Sequence, residues 1–252
     1  MKNIKAILII TARTIRELIR ARVLYSLLVF LLIAAWGSLF IGGLTFESKF
    51  EVATDLGLTG SAFFAAISAI LIGVEYVGAV SSRVFWPALS AGVKRSELFA
   101  GRFIGAGVIV LILSSVPSIL LYWSFYLLGG GGSILPLRDA ALLLPLEALL
   151  IFSVSSVLSV NFSKALAFAL SIGIWIACHM HPDPLAMEVL YPGSVSRIIM
   201  FIQNILPDLE YYNARISSTT STGHFVLALY QTLVYSLLSV VLGIMTFRKR
   251  AL

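Results

Sequence analysis

The stretch GVEYVGAVSSRVFWPALSAGVKRSELFAGRFIGAG, Gly73–Gly107, decides how the chain is read. An apolar span ends near Val80, a short polar, aromatic and basic segment follows, and another apolar span opens at Leu98. Pro87 has no N–H to donate, so it most easily starts a short helix rather than sitting inside one. Gly92 suits the left-handed residue that ends such a helix. Ser96 is placed to cap the next helix, with Glu97 in its first turn at the positive end of the dipole. The stretch thus predicts a short helix near Arg83 to Ala91 between two membrane spans. It carries Phe85 and Trp86 and is followed by Lys94 and Arg95. Composition fits a basic loop with an interfacial Trp; the sharper reading is a docking element for a soluble partner.

Working outward, the 252 residues are 59% hydrophobic and 12% charged. Soluble domains run at roughly 45–50% apolar and about 25% charged, so the composition is that of an integral membrane protein. A net charge of +6 would suggest nucleic acid for a soluble chain. In a membrane chain the positive-inside bias accounts for it, and no nucleic-acid partner is expected. One cysteine excludes an internal disulfide framework. No zinc-type Cys/His spacing and no GxxxxGK[ST] loop occurs.

In chain order, residues 1–22 place Ile4, Leu8, Ile15 and Leu18 on one helical stripe and Arg13, Arg16 and Arg20 on another face. That pattern predicts an interfacial helix on an anionic membrane surface. The first span is read over Val23–Leu44, followed by an acidic loop with Glu47, Lys49, Glu51 and Asp55. The second runs over Leu56–Val80 and is rich in small residues that allow close helix approach. The third covers Leu98–Leu128, with Pro117 as a kink and Gly101 and Gly105 as a GxxxG. The fourth, Leu137–Val160, contains Pro145 and Glu147, and a tight turn at Asn161–Lys164 leads to the fifth, Ala165–His179. An extracytoplasmic segment, 180–224, includes an amphipathic stretch at Ser194–Leu206, and the sixth span is Phe225–Phe247. The expected fold is therefore a single all-α membrane domain with six transmembrane helices, with residues 81–97 as the loop between the second and third.

With an even span count both termini share a side. Fourteen of the 18 Lys and Arg then fall on that side, leaving Lys49, Arg138, Arg197 and Arg215 opposite. The asymmetry places both termini and the Gly73–Gly107 loop in the cytoplasm, and the chain in the cell membrane.

Few residues carry chemistry. Glu75 and Glu147 fall within predicted spans, where a carboxylate is costly and faces a bundle interior, a cavity or a partner. Glu75 stands near the cytoplasmic end, which also suits an interfacial structural role. For Glu147 the readings are a transport pathway or a satisfied helix–helix contact. Cys178, His179, Met180 and His181 form a soft-ligand run of a kind that suits copper or zinc. Neighbouring positions on a helix diverge, however, so no metal site is assigned. Ser61 has no GxSxG context and no catalytic residue is assigned.

Three regions resemble the membrane subunit of type-2 ABC exporters, which pairs with a separate ATPase. These are TARTIRELIRARVLYSLLVF leading into the first span, LSAGVKRSELFAGRFIG before the third, and LPDLEYYNAR at Leu206–Arg215 before the last. Leu89, Val93, Arg95, Glu97 and Gly101 match the family's pattern, with Arg102 where Lys is usual. The chain departs from it at Gly78–Ser81, where members often carry Lys-Glu-x-Glu. The resemblance implies a permease dimer, homomeric or heteromeric, surrounded by lipid. It also implies a P-loop ATPase that binds ATP and Mg and presses on the loop, with Arg83, Phe85, Trp86, Lys94, Arg95 and Glu97 as coupling residues. This chain itself would bind no cofactor and be no enzyme. Alternatives from other classes are an ion- or proton-coupled secondary transporter using Glu75 and Glu147, and a structural subunit of a membrane complex.

Overall fold

The computed structural model describes residues 2–21, 49–77, 93–127, 134–179, 206–213 and 222–249, and the separate positions Tyr25, Val29, Ile33, Trp36, Gly37 and Phe40. Residues 78–92, with Arg83, Phe85 and Trp86, lie outside the described residues. So do most of the first predicted span and the stretches 180–205 and 214–221.

Among the described residues the chain is all-helical: α1 (Lys2–Ile19), α2 (Lys49–Ile72), α3 (Arg95–Leu127), α4 (Ile134–Asn161), α5 (Lys164–His179) and α6 (Thr222–Lys249). A π-helical turn, Gly73–Val77, extends α2, and a 3-10 turn, Leu209–Tyr212, precedes α6. Four helices are long and apolar enough to cross a membrane: α2 with its π turn, α3, α4 and α6. α5 is a shorter apolar helix. Where the first span was read, Tyr25, Val29, Ile33, Trp36 and Phe40 are helical and exposed.

α4 is the hub on which α2, α3, α5 and α6 all pack. Its lower half is lined with buried serines, Ser153, Ser155, Ser156 and Ser159. Each hydroxyl donates to a carbonyl of its own helix three or four residues back, so small polar side chains fill the interface without stranding a donor. Ser159 Oγ also reaches Gly73 O at 3.3 Å, where the π turn begins. A Cβ on Gly73 would stand 2.1 Å from Ser155 Oγ, so only glycine allows this approach. Phe103 of α3 and Phe152 of α4 join the next interface, with ring centroids 5.0 Å apart. α6 is peripheral: its apolar window is 17% buried, against more than half for the other three long helices.

Two boundaries differ from expectation. Glu51 and Asp55, read as loop, lie inside α2. Their place in its first two turns sets negative charge at the positive end of the dipole. α3 starts at Arg95, so Ser96 is within the helix and is not its cap. Glu97 acts instead: its Oε2 accepts from the Lys94 backbone N–H at 3.2 Å, the reciprocal half of a capping box. Pro117 sits inside a continuous α3.

α1 does more than lie on a surface; it packs along the first turns of α3. The buried face keeps Ile15 and Leu18 of the hydrophobic stripe read above but leaves Leu8 out. Leu8 is 60% exposed, whereas Thr14 and Leu18 are buried and Ile10 is partly buried. Close approach selects this face. A Cβ on Gly101 would meet Ile10 at 2.8 Å, and one on Gly105 would meet the Thr11 carbonyl and Thr14 Cβ, both at 2.9 Å. Thr11 Oγ1 donates to Gly101 O at 3.1 Å. Arg102, between the glycines, extends its buried guanidinium to Glu17 at 3.4 Å, and Glu17 also accepts from Arg13 at 2.9 Å. Gly105→Ala is therefore expected to lower the stability of the purified protein by about 1–3 kcal/mol through overpacking. Gly173→Ala, where an added Cβ meets nothing within 4 Å, should be neutral or stabilising. Equal thermal midpoints for the two variants would contradict this packing.

Candidate functional site

The turn at Asn161–Lys164 folds α5 back beside α4. Residues equally far from that turn come level, which brings His179, the last residue of α5, to Glu147 in the middle of α4. The Leu209–Tyr212 turn packs against α4, α5 and α6. Asp208 caps it, its Oδ1 accepting from Glu210 N at 2.9 Å. α2 completes a cavity of about 350 Å³. Its wall is apolar and aromatic, with Phe63, Leu144, Trp175 and Tyr212 prominent, and Glu147 and His179 face into it. Phe63 and Ile176 are about half exposed, at 46% and 47%, so the mouth opens sideways between α2 and α5.

The polar contacts fix a proton count. Glu147 is 4% exposed. Trp175 Nε1–H donates to Glu147 Oε1 at 3.3 Å. His179 Nδ1 lies 3.0 Å from the Trp175 carbonyl oxygen. That oxygen only accepts, so Nδ1 carries a hydrogen. The other ring nitrogen, Nε2, lies 3.4 Å from Glu147 Oε1. A neutral imidazole protonated at Nδ1 would turn a bare lone pair on that carboxylate. The contact is attractive when the pair carries one further proton, as imidazolium with carboxylate or imidazole with carboxylic acid. Either way the pair is neutral, which removes the cost of an isolated charge in an apolar interior, about 2.5–3.5 kcal/mol on insertion scales. Trp175 is held in turn: its ring stands edge-on to His179 at 5.1 Å and to Phe63 at 5.8 Å.

The sequence-derived candidates separate. Glu147 faces the cavity. Glu75 does not: it is exposed at the π turn and ion-paired with Lys164, at the far end of α5 from His179. The two carboxylates are about 22 Å apart along the axis of α5 at 1.5 Å per residue. Lys94 is exposed, Arg95 partly buried, and Glu97 buried as a cap. Cys178 turns away from His179 into a separate apolar contact with Leu150, Ile151 and Pro207. Among the described residues no group of three or more His, Cys, Asp or Glu could hold a metal. His179 and Tyr212 were not singled out for this site. His179 was read only within the soft-ligand run. The signal for it was the count from the turn, since Glu147 is about as far before Asn161 as His179 is after Lys164.

Compared with known proteins, the chain matches no protein-family model and no curated protein.

Tyr212 is the buried latch of the outer turn. Its hydroxyl donates to Ala228 O at 3.0 Å and lies 2.8 Å from Thr232 Oγ1. Burial pushes its phenol above the ordinary tyrosine value, with a smaller opposing effect from the Thr232 hydrogen bond. The raised value means that this contribution to stability is complete below the usual pKa of about 10 and is lost as pH rises above it. Tyr212→Phe is expected to cost about 1 kcal/mol at neutral pH. It should also flatten the alkaline fall in thermal midpoint, and an unchanged alkaline profile would count against the latch.

Proposed function

We propose that this chain is the membrane-spanning permease subunit of an ATP-driven transporter of the exporter type. On this reading it has six spans with both termini cytoplasmic, works as a dimer, and borrows its energy from a separate P-loop ATPase that carries ATP and Mg. One observation carries the reading. The loop proposed to receive the ATPase runs directly into the start of α3, and α1 is clamped on that start through Gly101, Gly105 and the Arg102–Glu17 pair. A force applied at Lys94 and Arg95 would thus move α1 and α3 as one body. Glu97, capping the helix from within, would keep that junction rigid, which lowers the ordering cost of docking. Phe85 and Trp86 would serve as anchors of the kind that dominate interface energetics, while Lys94 and Arg95 steer an acidic partner. The basic asymmetry and the three-part sequence resemblance support the same assignment.

A proton-coupled transporter is the second reading, favoured by Glu147 facing a cavity. It loses force because Glu75 stands apart from that cavity in an ion pair of its own.

The test is a pull-down of candidate P-loop ATPases from the same operon with Trp86→Ala combined with Arg95→Glu. Insertion and permease dimerisation should persist, while bound ATPase falls at least about tenfold, the scale of losing one anchor. An ATPase that co-purifies equally with wild type and variant would overturn the docking role. A variant that retains its ATPase but changes lipid dependence would favour a plain interfacial loop.

A further inference from the structure

The cavity at Glu147 has a composition that selects a ligand. Among the described residues lining it, Glu147 is the one acid, and neither lysine nor arginine is present. Its walls include the aromatic side chains of Phe63, Trp175 and Tyr212, and its mouth opens sideways between two apolar helices. A carboxylate at the end of an aromatic-lined apolar pocket is complementary to a cation with an apolar body. The carboxylate supplies the counter-charge and the ring faces supply cation–π attraction. An anion would meet Glu147 with His179 alone to offset it, and that imidazole is already turned to the carboxylate; a neutral apolar ligand would leave the carboxyl group unused.

We propose that this cavity binds a lipophilic organic monocation, an amine or quaternary ammonium carrying an apolar group, in exchange for the proton that Glu147 shares with His179. The balance is simple. Empty, the pair holds one shared proton and has no net charge. On binding, the cation pairs with the Glu147 carboxylate, the proton leaves to water from whichever partner held it, and His179 is left neutral with its hydrogen on Nδ1. No bond other than that proton's is made or broken, and the site is neutral before and after. Exchange of this kind keeps the apolar interior free of net charge at both end points, which its low polarity demands.

The other titratable groups on the surrounding elements are engaged elsewhere. From the outer turn, Tyr212 bonds to α6 and Asp208 caps its own turn. On α4, Asp139 pairs with Arg138. On α5, Cys178 faces the opposite side, where Tyr235 of α6 is its neighbour. On α2, Asp55 is exposed and stands a turn before the lining residue Thr59. Glu147 and His179 are thus left as the proton exchangers.

The inference stands on the cavity and does not need the ATPase, so its failure would leave the pull-down result intact, and the reverse. The experiment uses the purified full chain in lipid nanodiscs, with radiolabelled benzyltrimethylammonium as probe and its uncharged carbon isostere neopentylbenzene as control. Binding is measured by equilibrium dialysis between about pH 5 and 8, where imidazole-linked protons exchange. Proton release is read with an indicator dye in weak buffer. The cation should bind at least about tenfold more tightly than the isostere, as expected for a desolvated cation–π and ion-pair site. Its affinity should rise with pH, and close to one proton should appear per cation bound. Glu147→Gln should abolish proton release and weaken the cation at least about tenfold without changing isostere binding. Phe63→Ala, at the rim, should weaken the cation while keeping proton release. Equal binding of cation and isostere to the wild type, or cation binding that is independent of pH with no proton released, would overturn the proposal. Both of those outcomes are read on the wild-type chain, so they hold even if a variant fails to fold.

Discussion

A carboxyl group in the middle of a helix that is packed on every side must have a proton, a partner, or both. Glu147 sits on α4, and α2, α3, α5 and α6 all pack on α4. An isolated charge there would tax the entire bundle. The solution is local: α5 ends level with Glu147, its last residue is a histidine, and the tryptophan one turn earlier supplies both an indole donor and the carbonyl that fixes the histidine's tautomer. The three groups close on one another, the indole as donor to the carboxylate and the imidazole as its ion-pair partner.

The end of the bundle that carries α1 is organised by a different constraint, close backbone approach. Gly101 and Gly105 make a groove on α3 into which α1 settles, and the groove chooses which face of α1 is buried. Thr11 and Thr14 enter it in preference to the larger Leu8 because they are compact and their hydroxyls find carbonyl partners. Hydrophobicity alone would have buried Leu8 beside Ile15 and Leu18, whereas it stays exposed. The same logic recurs where Gly73 meets Ser155 and Ser159, so glycine and serine set the distances in this bundle and the large apolar residues fill what remains.

Much of this was legible in the amino-acid order. Apolar run lengths marked six spans; the described residues show four long helices and the shorter α5 among them, and these begin and end within a few residues of the readings except at α2, where acidic residues read as loop start the helix. The depth of Glu147 was legible because a lone carboxylate in an apolar run stands out. Its partner was not, because His179 lay beside Cys178 and His181 in a run that drew attention to metal ligands. The pairing becomes readable only when residues are counted outward from the Asn161–Lys164 turn. Glu97 was expected in the first turn of α3, but its capping of Lys94 depends on where the helix starts, and a residue's shift in that start is invisible to composition. Tyr212 could not be placed because its partners, Ala228 and Thr232, belong to a helix that begins after an intervening polar segment.

The proposed function requires that the α1–α3 clamp, Lys94 and the α4–α5 turn share the cytoplasmic side, with the Leu209–Tyr212 turn on the other. Single cysteines at Lys94, Lys164 and Glu210, each in a Cys178→Ala background, test it with a membrane-impermeant thiol reagent applied to intact cells and to inverted vesicles. Position 210 is expected to label in intact cells only, and positions 94 and 164 in inverted vesicles only. Labelling of position 94 from outside intact cells, or of 94 and 164 from opposite sides, would contradict it.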